Sequence, residues 1–448
     1  MRKKWEPQMP LMPAETNHPQ AKELAAISRI ISSKPIICEL VLQDLGGHRS
    51  TDNNSGAKGM SADQVLRAAI VKILYGFSYK DLAFHIVDSQ SIRRFCQIGI
   101  ADKGFKKSAL NNNIKAISDD TWHAIHTEII GYAEDQKVEK GREVRIDCTV
   151  VESNIHAPSD STLLYDSVRV LTRLLYSTKD FFGSGLIFQD HTRRAKKRML
   201  AIQYAKNDKQ RKPRYKDLIK VSKKTLGYAH SAMERLSAVV SPSAIGLSLE
   251  FKSFAQLTEQ VIDQAERRVI KGQKVPAAEK IVSLFEPHTD VIVKDRRETY
   301  YGHKICLTGG ASNLILDCLI VEGNPADTSL TETMLDRQQG LYGRYPLKAA
   351  LDGGFASKDN LKIAKSKKIK DVCFAKKRGL AETDMCRSHY VYKRLRRFRA
   401  GIEAGISWLK RSFGLDRCTW KGWRSFKSYV WATVVSANLL TIARKQLA

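Results

Sequence analysis

The stretch Arg396-Arg-Phe-Arg-Ala-Gly-Ile-Glu-Ala-Gly-Ile-Ser-Trp-Leu-Lys-Arg411 reads as a helix. Phe398, Ile402, Ile406 and Leu409 recur at helical spacing and make one apolar stripe. Arg399, Glu403 and Lys410 stand four and seven residues apart, so they share the neighbouring face. Glu403 is the one acid among Arg396, Arg397, Arg399, Lys410 and Arg411. A solvated helix would mix the signs, and a core helix would carry neither. A lone carboxylate on a basic helix suits a group that holds a metal ion while its neighbours hold a phosphate backbone. Taken by itself, a plain Arg399–Glu403 ion pair is the simpler explanation, so the rest of the chain has to decide.

Composition narrows the field. The chain has 448 residues, enough for two or three domains, and 43% of them are hydrophobic, enough for a sizeable core. Lys and Arg number 75 against 47 Asp and Glu, a net charge of +28, which points to a polyanion and to nucleic acid first. None of the eight cysteines forms a CxxC pair or sits at zinc-ligand spacing, so they read as reduced thiols of a cytoplasmic protein. The opening MRKKWEPQMP has no apolar signal segment. The longest apolar run, Tyr429 to Ala443, is interrupted by Thr433, Ser436, Asn438 and Thr441, so it reads as a core helix and no membrane partner is expected.

Upstream, residues 1–59 read as an N-terminal arm of loop with one helix over Ala21 to Ser32. Residues 60–140 read as a block of short helices, starting at a capping-box pattern of Ser61 and Gln64 and restarting at Ser78. Such helix-turn-helix-like bundles bind DNA or serve as interaction modules. At Val144 the period changes to strict alternation, a strand, with Asp147 inside it. Asp is depleted in strands, so this one is either a buried, paired acid or a metal ligand. Residues 162–285 are mainly helical. Within them, Arg193 to Lys224 holds fourteen Lys or Arg against Asp208 and Asp217, interleaved with Tyr204 and Tyr215. This self-repelling density fits phosphate contacts better than a solvated face, and Arg193, Arg194, Lys196, Lys197 and Arg198 are its densest group.

Strands return at Val291–Lys294, Tyr300–Leu307 and Asn313–Val321, with Gly309-Gly310 read as the turn between the last two. A helix with Ser329 and Glu332 as capping box follows, then a short strand ending at Asp352, a helix, a strand at Asp371 and the basic helix. With 162–285 set aside as an insertion, this order resembles a ribonuclease-H-like α/β sheet formed by residues 141–161 and 286–448. In such a sheet Asp147, Asp352 and Glu403 can converge. Three converging carboxylates repel unless a cation neutralises them, and hard oxygen ligands favour Mg²⁺ or Mn²⁺. Among the other acids, Asp317 reads as structural and Glu152 as an outer neighbour of the site. Asp166, Asp327 and Asp336 read as cap or surface residues.

On these residues the chain resembles a DDE transposase of bacterial insertion sequences, close to the IS4/IS5 group. Leu74-Tyr-Gly-Phe-Ser-Tyr-Lys-Asp-Leu82 is similar to the N-terminal helical domain of that family. Ile146-Asp-Cys-Thr-Val-Val-Glu-Ser-Asn-Ile155 resembles the region of its first catalytic Asp, and Leu351-Asp-Gly-Gly-Phe355 that of its second. Arg399, Glu403 and Lys410 match the Arg, Glu and Lys of its Y-x2-R-x3-E-x6-K signature, and Arg396 stands at the Tyr position. The resemblance implies Mg²⁺- or Mn²⁺-dependent cut-and-paste transposition with Asp147, Asp352 and Glu403 as catalytic and metal-holding acids. It implies Arg399 and Lys410 on strand phosphates, terminal inverted repeats and target DNA as double-stranded partners, and a homodimer or larger assembly at the nucleoid. A nuclease of the same fold that never joins strands, or a DNA-binding protein with an inactive triad, would share most of these features.

Overall fold

The computed structural model describes residues 17–46, 59–99, 102–183, 185–294 and 298–448. The chain begins with the helices α1 (Pro19–Ser32), α2 (Ile36–Gly46), α3 (Ala62–Leu74), α4 (Tyr79–Asp88), α5 (Gln90–Phe95), α6 (Lys107–Ala116) and α7 (Asp119–Asp135). Both expected caps form: Ser61 and Gln64 make a capping box on α3, and Ser78 makes one with Asp81 on α4. Of the expected arm, residues 1–16 and 47–58 lie outside the described residues. Residues 36–46 correct the loop reading, because Ile37 and Val41 are buried in the same core as Ile27 and Ile30 of α1.

Six strands follow a different rhythm: β1 (Glu143–Glu152), β2 (Asp290–Lys294), β3 (Glu298–Gly310), β4 (Ile315–Ile320), β5 (Lys348–Leu351) and β6 (Asp371–Phe374). They form one mixed sheet in the order β2-β3-β1-β5-β6, with β4 also on β3. β1 runs antiparallel to β3 and parallel to β5, and β5 runs parallel to β6. The strict alternation expected for β1 gives way to buried triplets, Val144–Ile146 and Thr149–Val151, as suits a central strand covered on both faces. Gly309 and Gly310 do not make the expected turn. They end β3, and the chain reverses over residues 311–314, where Asn313 takes a left-handed φ of 68°. The expected Ser329–Glu332 capping box is also absent: a 3-10 turn spans Asp327–Leu330, and the next helix has Leu330 at its cap with no side-chain hydrogen bond.

The helices that follow in and after the sheet are α13 (Thr331–Tyr342), α14 (Lys358–Ser366), α15 (Glu382–Met385), α16 (His389–Phe413) and α17 (Trp423–Leu447). α17 is buried almost throughout from Phe426 to Ala443 and packs on α7, α1 and α3, so the first helices and the sheet share one core. Its polar interruption at Asn438 has a partner: the side-chain amide donates to the Ile315 carbonyl (2.7 Å) and accepts from the Ile315 N–H (2.9 Å). Among the described residues no helix is long and apolar enough to cross a membrane. Residues 160–265 hold α8 (Asp160–Ser177), α9 (Lys179–Phe182), α10 (Thr192–Gln203), α11 (Asp208–Leu236) and α12 (Pro242–Ala265). They pack around two apolar clusters of their own, one on Leu164, Leu218 and Val261, the other on Leu171, Ala229 and Phe251.

One contact seats α16 on the sheet. The Arg145 side chain of β1 is buried and donates to the Phe398 carbonyl (3.1 Å) and to Asn313 Oδ1 (2.6 Å), with the Phe398 ring 4.8 Å from its guanidinium carbon. A Cβ on Gly401 would lie 1.8 Å from Arg145 Nη1, and one on Gly309 would lie 2.8 Å from Ile402 Cδ1. These two positions take no side chain, which is what lets the helix lie this close to β1 and β3. Gly401→Ala should therefore push α16 off its seat and cost about 1–3 kcal/mol. Chemical denaturation will measure it; a stability equal to the parent's would show that Arg145 does not set the helix position.

Candidate active site

Register brings the first two acids together. Ile146 and Leu351 are the last paired residues of the parallel strands β1 and β5, so Asp147, which stays in β1 opposite Leu307 of β3, and Asp352, the first residue past β5, stand at the same level, one strand spacing apart. The Asp352 N–H donates to the Ile146 carbonyl (3.2 Å), which ties the end of β5 to β1. Glu403 comes over them from α16. The side chains are 17%, 39% and 57% exposed for Asp147, Asp352 and Glu403, so the site is a rim and not a sealed cavity.

Arg399 stands among the three. Its Nη1 donates to Asp352 Oδ1 (3.0 Å) and lies 3.9 Å from Asp147 Oδ2, and its Nη2 donates to Glu403 Oε1 (2.7 Å). The Arg399 side chain is only 14% exposed. Burial works against its charge, but the hydrogen bond to Glu403 and the charges of Glu403, Asp352 and Asp147 outweigh that and hold its pKa above the ordinary value. Asp147 moves the other way for a carboxyl. Burial first, then the neighbouring Asp352 charge, push it up to about 6, although the Cys148 N–H and Arg399 pull against them.

Two clefts flank the acids. One, of about 680 Å³, is lined by Asp147, Glu403, Ile406, Lys410 and Arg411 among others. The other, of about 520 Å³, is lined by Asp147, Asp352, Glu403, Lys304 and Asp327 among others. They meet along β1 at Cys148 and Thr149. There, above the end of β5, that edge of β1 carries no paired strand among the described residues until Glu152, whose N–H donates to the Asp416 carbonyl (2.9 Å) and whose carbonyl accepts from the Cys418 N–H (2.8 Å).

Three carboxylates are hard oxygen donors of the kind that suits a divalent cation. Among the described residues, however, no group of three His, Cys, Asp or Glu side chains is arranged to hold a metal ion. The Arg399 guanidinium lies between the acids, and the donor set fits such a cation in kind, with Asp147, Asp352 and Glu403 the residues that would hold it.

The other expected site residues divide. Lys410 lines the larger cleft, 3.3 Å from Asp416. In the insertion, Arg193, Lys196 and Lys197 are exposed on α10, whereas Arg194 and Arg198 both pair with Asp217, whose carboxyl their hydrogen bonds hold below its usual range. None of these five lines either cleft. Tyr204 is exposed beside them, but Tyr215 is buried and offers no ring to a ligand. Arg396, at the position of the family's Tyr, is exposed. Asp317 is structural, as expected, taken by both arms of Arg337 (2.6 Å each). Glu152 pairs with Arg417 outside the acid cluster.

Asp327 is a correction: it lines the smaller cleft and is not a surface cap. Lys304, which is mostly buried, donates to its Oδ1 (2.8 Å) and to the Pro325 carbonyl (2.6 Å). A Cβ on Gly354 would stand 2.6 Å from Asp327 Oδ2, so this carboxylate rests on the turn that follows Asp352. The sequence signal for the pair was a Lys in the interior of a strand, Lys304, and an Asp next to Asn324-Pro325.

Residues 279–439 match the family described as Transposase DDE domain, and residues 13–116 match the family described as Transposase domain (DUF772). The first match takes in Asp352, Arg399, Glu403 and Lys410, while Asp147 lies upstream of it, beyond the insertion. A DDE domain implies a ribonuclease-H-like core, in agreement with the mixed sheet described above. No curated protein and no solved structure matches the chain.

The elevated Asp147 carries a stability consequence. It ionises at about 6 in the folded chain against an ordinary 3.8, so its charge opposes folding in full above about 6 and not at all below 3.8. Asp147→Asn should stabilise the metal-free protein by about 1–3 kcal/mol at pH 7.5, with the gain fading as pH falls toward 4. Thermal melts at the two pH values will measure it; a loss of stability at pH 7.5 would mean that attraction to Arg399 outweighs the burial and repulsion.

Proposed function

We propose that this chain, which belongs to the DDE transposases of insertion sequences, cuts DNA at the ends of its element and joins the freed 3′-OH to target DNA, with Asp147, Asp352 and Glu403 as its catalytic acids. The observation that carries this reading is the meeting of those acids from the middle of β1, the end of β5 and one basic helix, around a single position already filled by a cation. Mg²⁺ or Mn²⁺ held by the three would supply Lewis-acid stabilisation of the attacking and leaving oxygens. The placing of this chain near the IS4/IS5 group rests on the Arg399-x3-Glu403-x6-Lys410 motif.

The chain's own residues bind and orient. Arg399, Lys410 and Arg411 on α16 hold phosphates of the strand being cut, with the guanidinium fork of Arg399 suited to two phosphate oxygens at once. Lys304, already fixed by Asp327 and Pro325, keeps a third ammonium proton for a ligand in the smaller cleft. In the cutting step a water oxygen bonds to phosphorus as the P–O3′ bond breaks, and the departing 3′-oxygen takes up a proton. In the joining step that 3′-oxygen bonds to a target phosphorus as the target's own P–O3′ bond breaks. One phosphodiester replaces another, so no outside energy source is needed.

The helices of residues 60–140 would read the terminal inverted repeats, and the insertion of residues 162–285 would clamp flanking DNA without sequence preference. Two or more copies would hold paired ends, in the cytoplasm at the nucleoid.

The test is cleavage and joining by the full chain, with Mg²⁺, on linear DNA carrying the repeats that flank its own gene. Both products should form, and Glu403→Gln and Asp352→Asn should each lower both by about 10²–10³-fold or more while gel-shift binding persists. Undiminished cleavage by Asp352→Asn would refute the site, and cleavage without joining would leave a nuclease.

The clamp has its own readout. Replacing Arg193, Lys196 and Lys197 together by Ala should reduce the salt slope of DNA binding by up to about 2.7, at roughly 0.9 for each phosphate that is no longer neutralised. Replacing Arg194 and Arg198 should reduce it less, because Asp217 already engages them. An unchanged slope in the triple variant would remove the clamp.

A further inference from the structure

Resting on the function proposed above, we infer that Arg399 is the resident counter-ion of the acid cluster, and that DNA admits the divalent cation by drawing this guanidinium out to a phosphate. The geometry is that of one cation serving three anions. Nη1 reaches Asp352 and, at 3.9 Å, Asp147, while Nη2 reaches Glu403, so the fork spans all three acids. With its side chain 14% exposed, the group fills the space between the carboxylates. A divalent cation coordinated by the same oxygens would stand against like charge at contact distance. The two occupants exclude each other.

Something must therefore move Arg399 before metal can bind, and the surroundings point to phosphate. The carboxylate partners hold the guanidinium by paired N–H donors, and a phosphate offers the same paired oxygens with more charge. The cleft that Glu403 lines runs along the same helix to Lys410 and Arg411, a place for a strand backbone that begins at the residue Arg399 is bonded to. When a phosphate docks there, Arg399 exchanges carboxylates for phosphate, the acids lose their counter-ion, and their mutual repulsion favours a cation of higher charge. DNA and metal then bind with positive coupling, and the coupling is reciprocal by thermodynamic necessity. Away from DNA the site stays closed to metal, so the chain is inert as a nuclease until a strand is in place.

The experiment is Mn²⁺ binding to the full chain, read as loss of the free-ion electron paramagnetic resonance signal, with and without saturating duplex carrying the flanking repeats. Catalysis is not the readout. The parent chain should bind Mn²⁺ weakly alone and about tenfold or more tightly with DNA. Arg399→Gln should bind it about tenfold or more tightly without DNA and lose the coupling. Arg399→Lys, a point charge that cannot span three acids, should fall between. Asp352→Asn added to Arg399→Gln should abolish the gain, which locates it at these carboxylates, and circular-dichroism melts establish that each variant is folded. Equal Mn²⁺ affinity in the parent and Arg399→Gln, with the DNA coupling intact, would overturn the latch and leave the proposed function standing. No Mn²⁺ binding in any of the proteins, even with DNA bound, would remove both.

Discussion

Placing two carboxylates at the same level of two adjacent parallel strands is the constraint from which the rest of the candidate site follows. Asp147, held within β1 by its pairing with Leu307, and Asp352, just past the end of β5, both follow the Ile146–Leu351 pair. Neither can move away without breaking the strands that carry it. Their repulsion, added to burial, is why Asp147 is held so far above an ordinary carboxyl. A third acid on α16 would make matters worse unless positive charge came with it. The same helix that carries Glu403 therefore carries Arg399, one turn back and pointed into the cluster. The basic surroundings of Glu403 are a direct answer to the charge assembled beneath them.

That answer works only if α16 crosses β1 at the right residue, and a second arginine sees to it. Arg145 is two residues before Asp147 on the same strand and is buried under the helix, with Gly401 giving it room. The helix is thus indexed from β1 itself, and Arg399 and Glu403, two residues to either side of Gly401, inherit their position over Asp147. The arrangement has a cost. Arg145 Nε is buried with no hydrogen-bond partner among the described residues, and desolvation lowers the group's pKa. A buried guanidinium is a poor source of stability but a good source of register, since it can be satisfied in one position only. Asn313 accepts from it in that position, at a turn whose backbone is left-handed at Asn313.

The parts of this fold legible in the sequence were those with local signatures. The change of period at Val144, the mid-strand Asp147, the Ser caps on α3 and α4 and the acid among bases at Glu403 all depend on near neighbours, and the structure has the corresponding elements. What was not legible depends on distant partners. The helix at 36–46 forms because α3 and α7 offer it an apolar surface. Gly309 and Gly310 look like a turn in sequence, yet they are needed within β3 because Ile402 and Glu139 press on them. Arg194 and Arg198 read like Arg193, Lys196 and Lys197, and only the fold of α11 against α10 brings Asp217 to the first two. Asp327 read as a cap because its neighbours Asn324, Pro325 and Ser329 are turn residues; its packing against Gly354 and Lys304 spans tens of residues.

The interrupted edge of β1 leaves the acids open along two grooves. Below Asp147 the edge is sealed by β5, and at Glu152 it is sealed again by the backbone of Asp416 and Cys418. Between these points the strand faces the two clefts, and Asp147, Cys148, Thr149 and Glu403 belong to both. A continuous β5 running alongside would have closed this gap and left the acids in a pit, reachable by a small molecule but not by a chain passing through. Because β5 stops at Leu351, the carboxylates lie at the junction of two open grooves. Lys410 and Arg411 supply positive charge in one groove, and Lys304 supplies it in the other. The short strand that creates the repulsion between Asp147 and Asp352 thus also creates the passage in which that repulsion can be put to use.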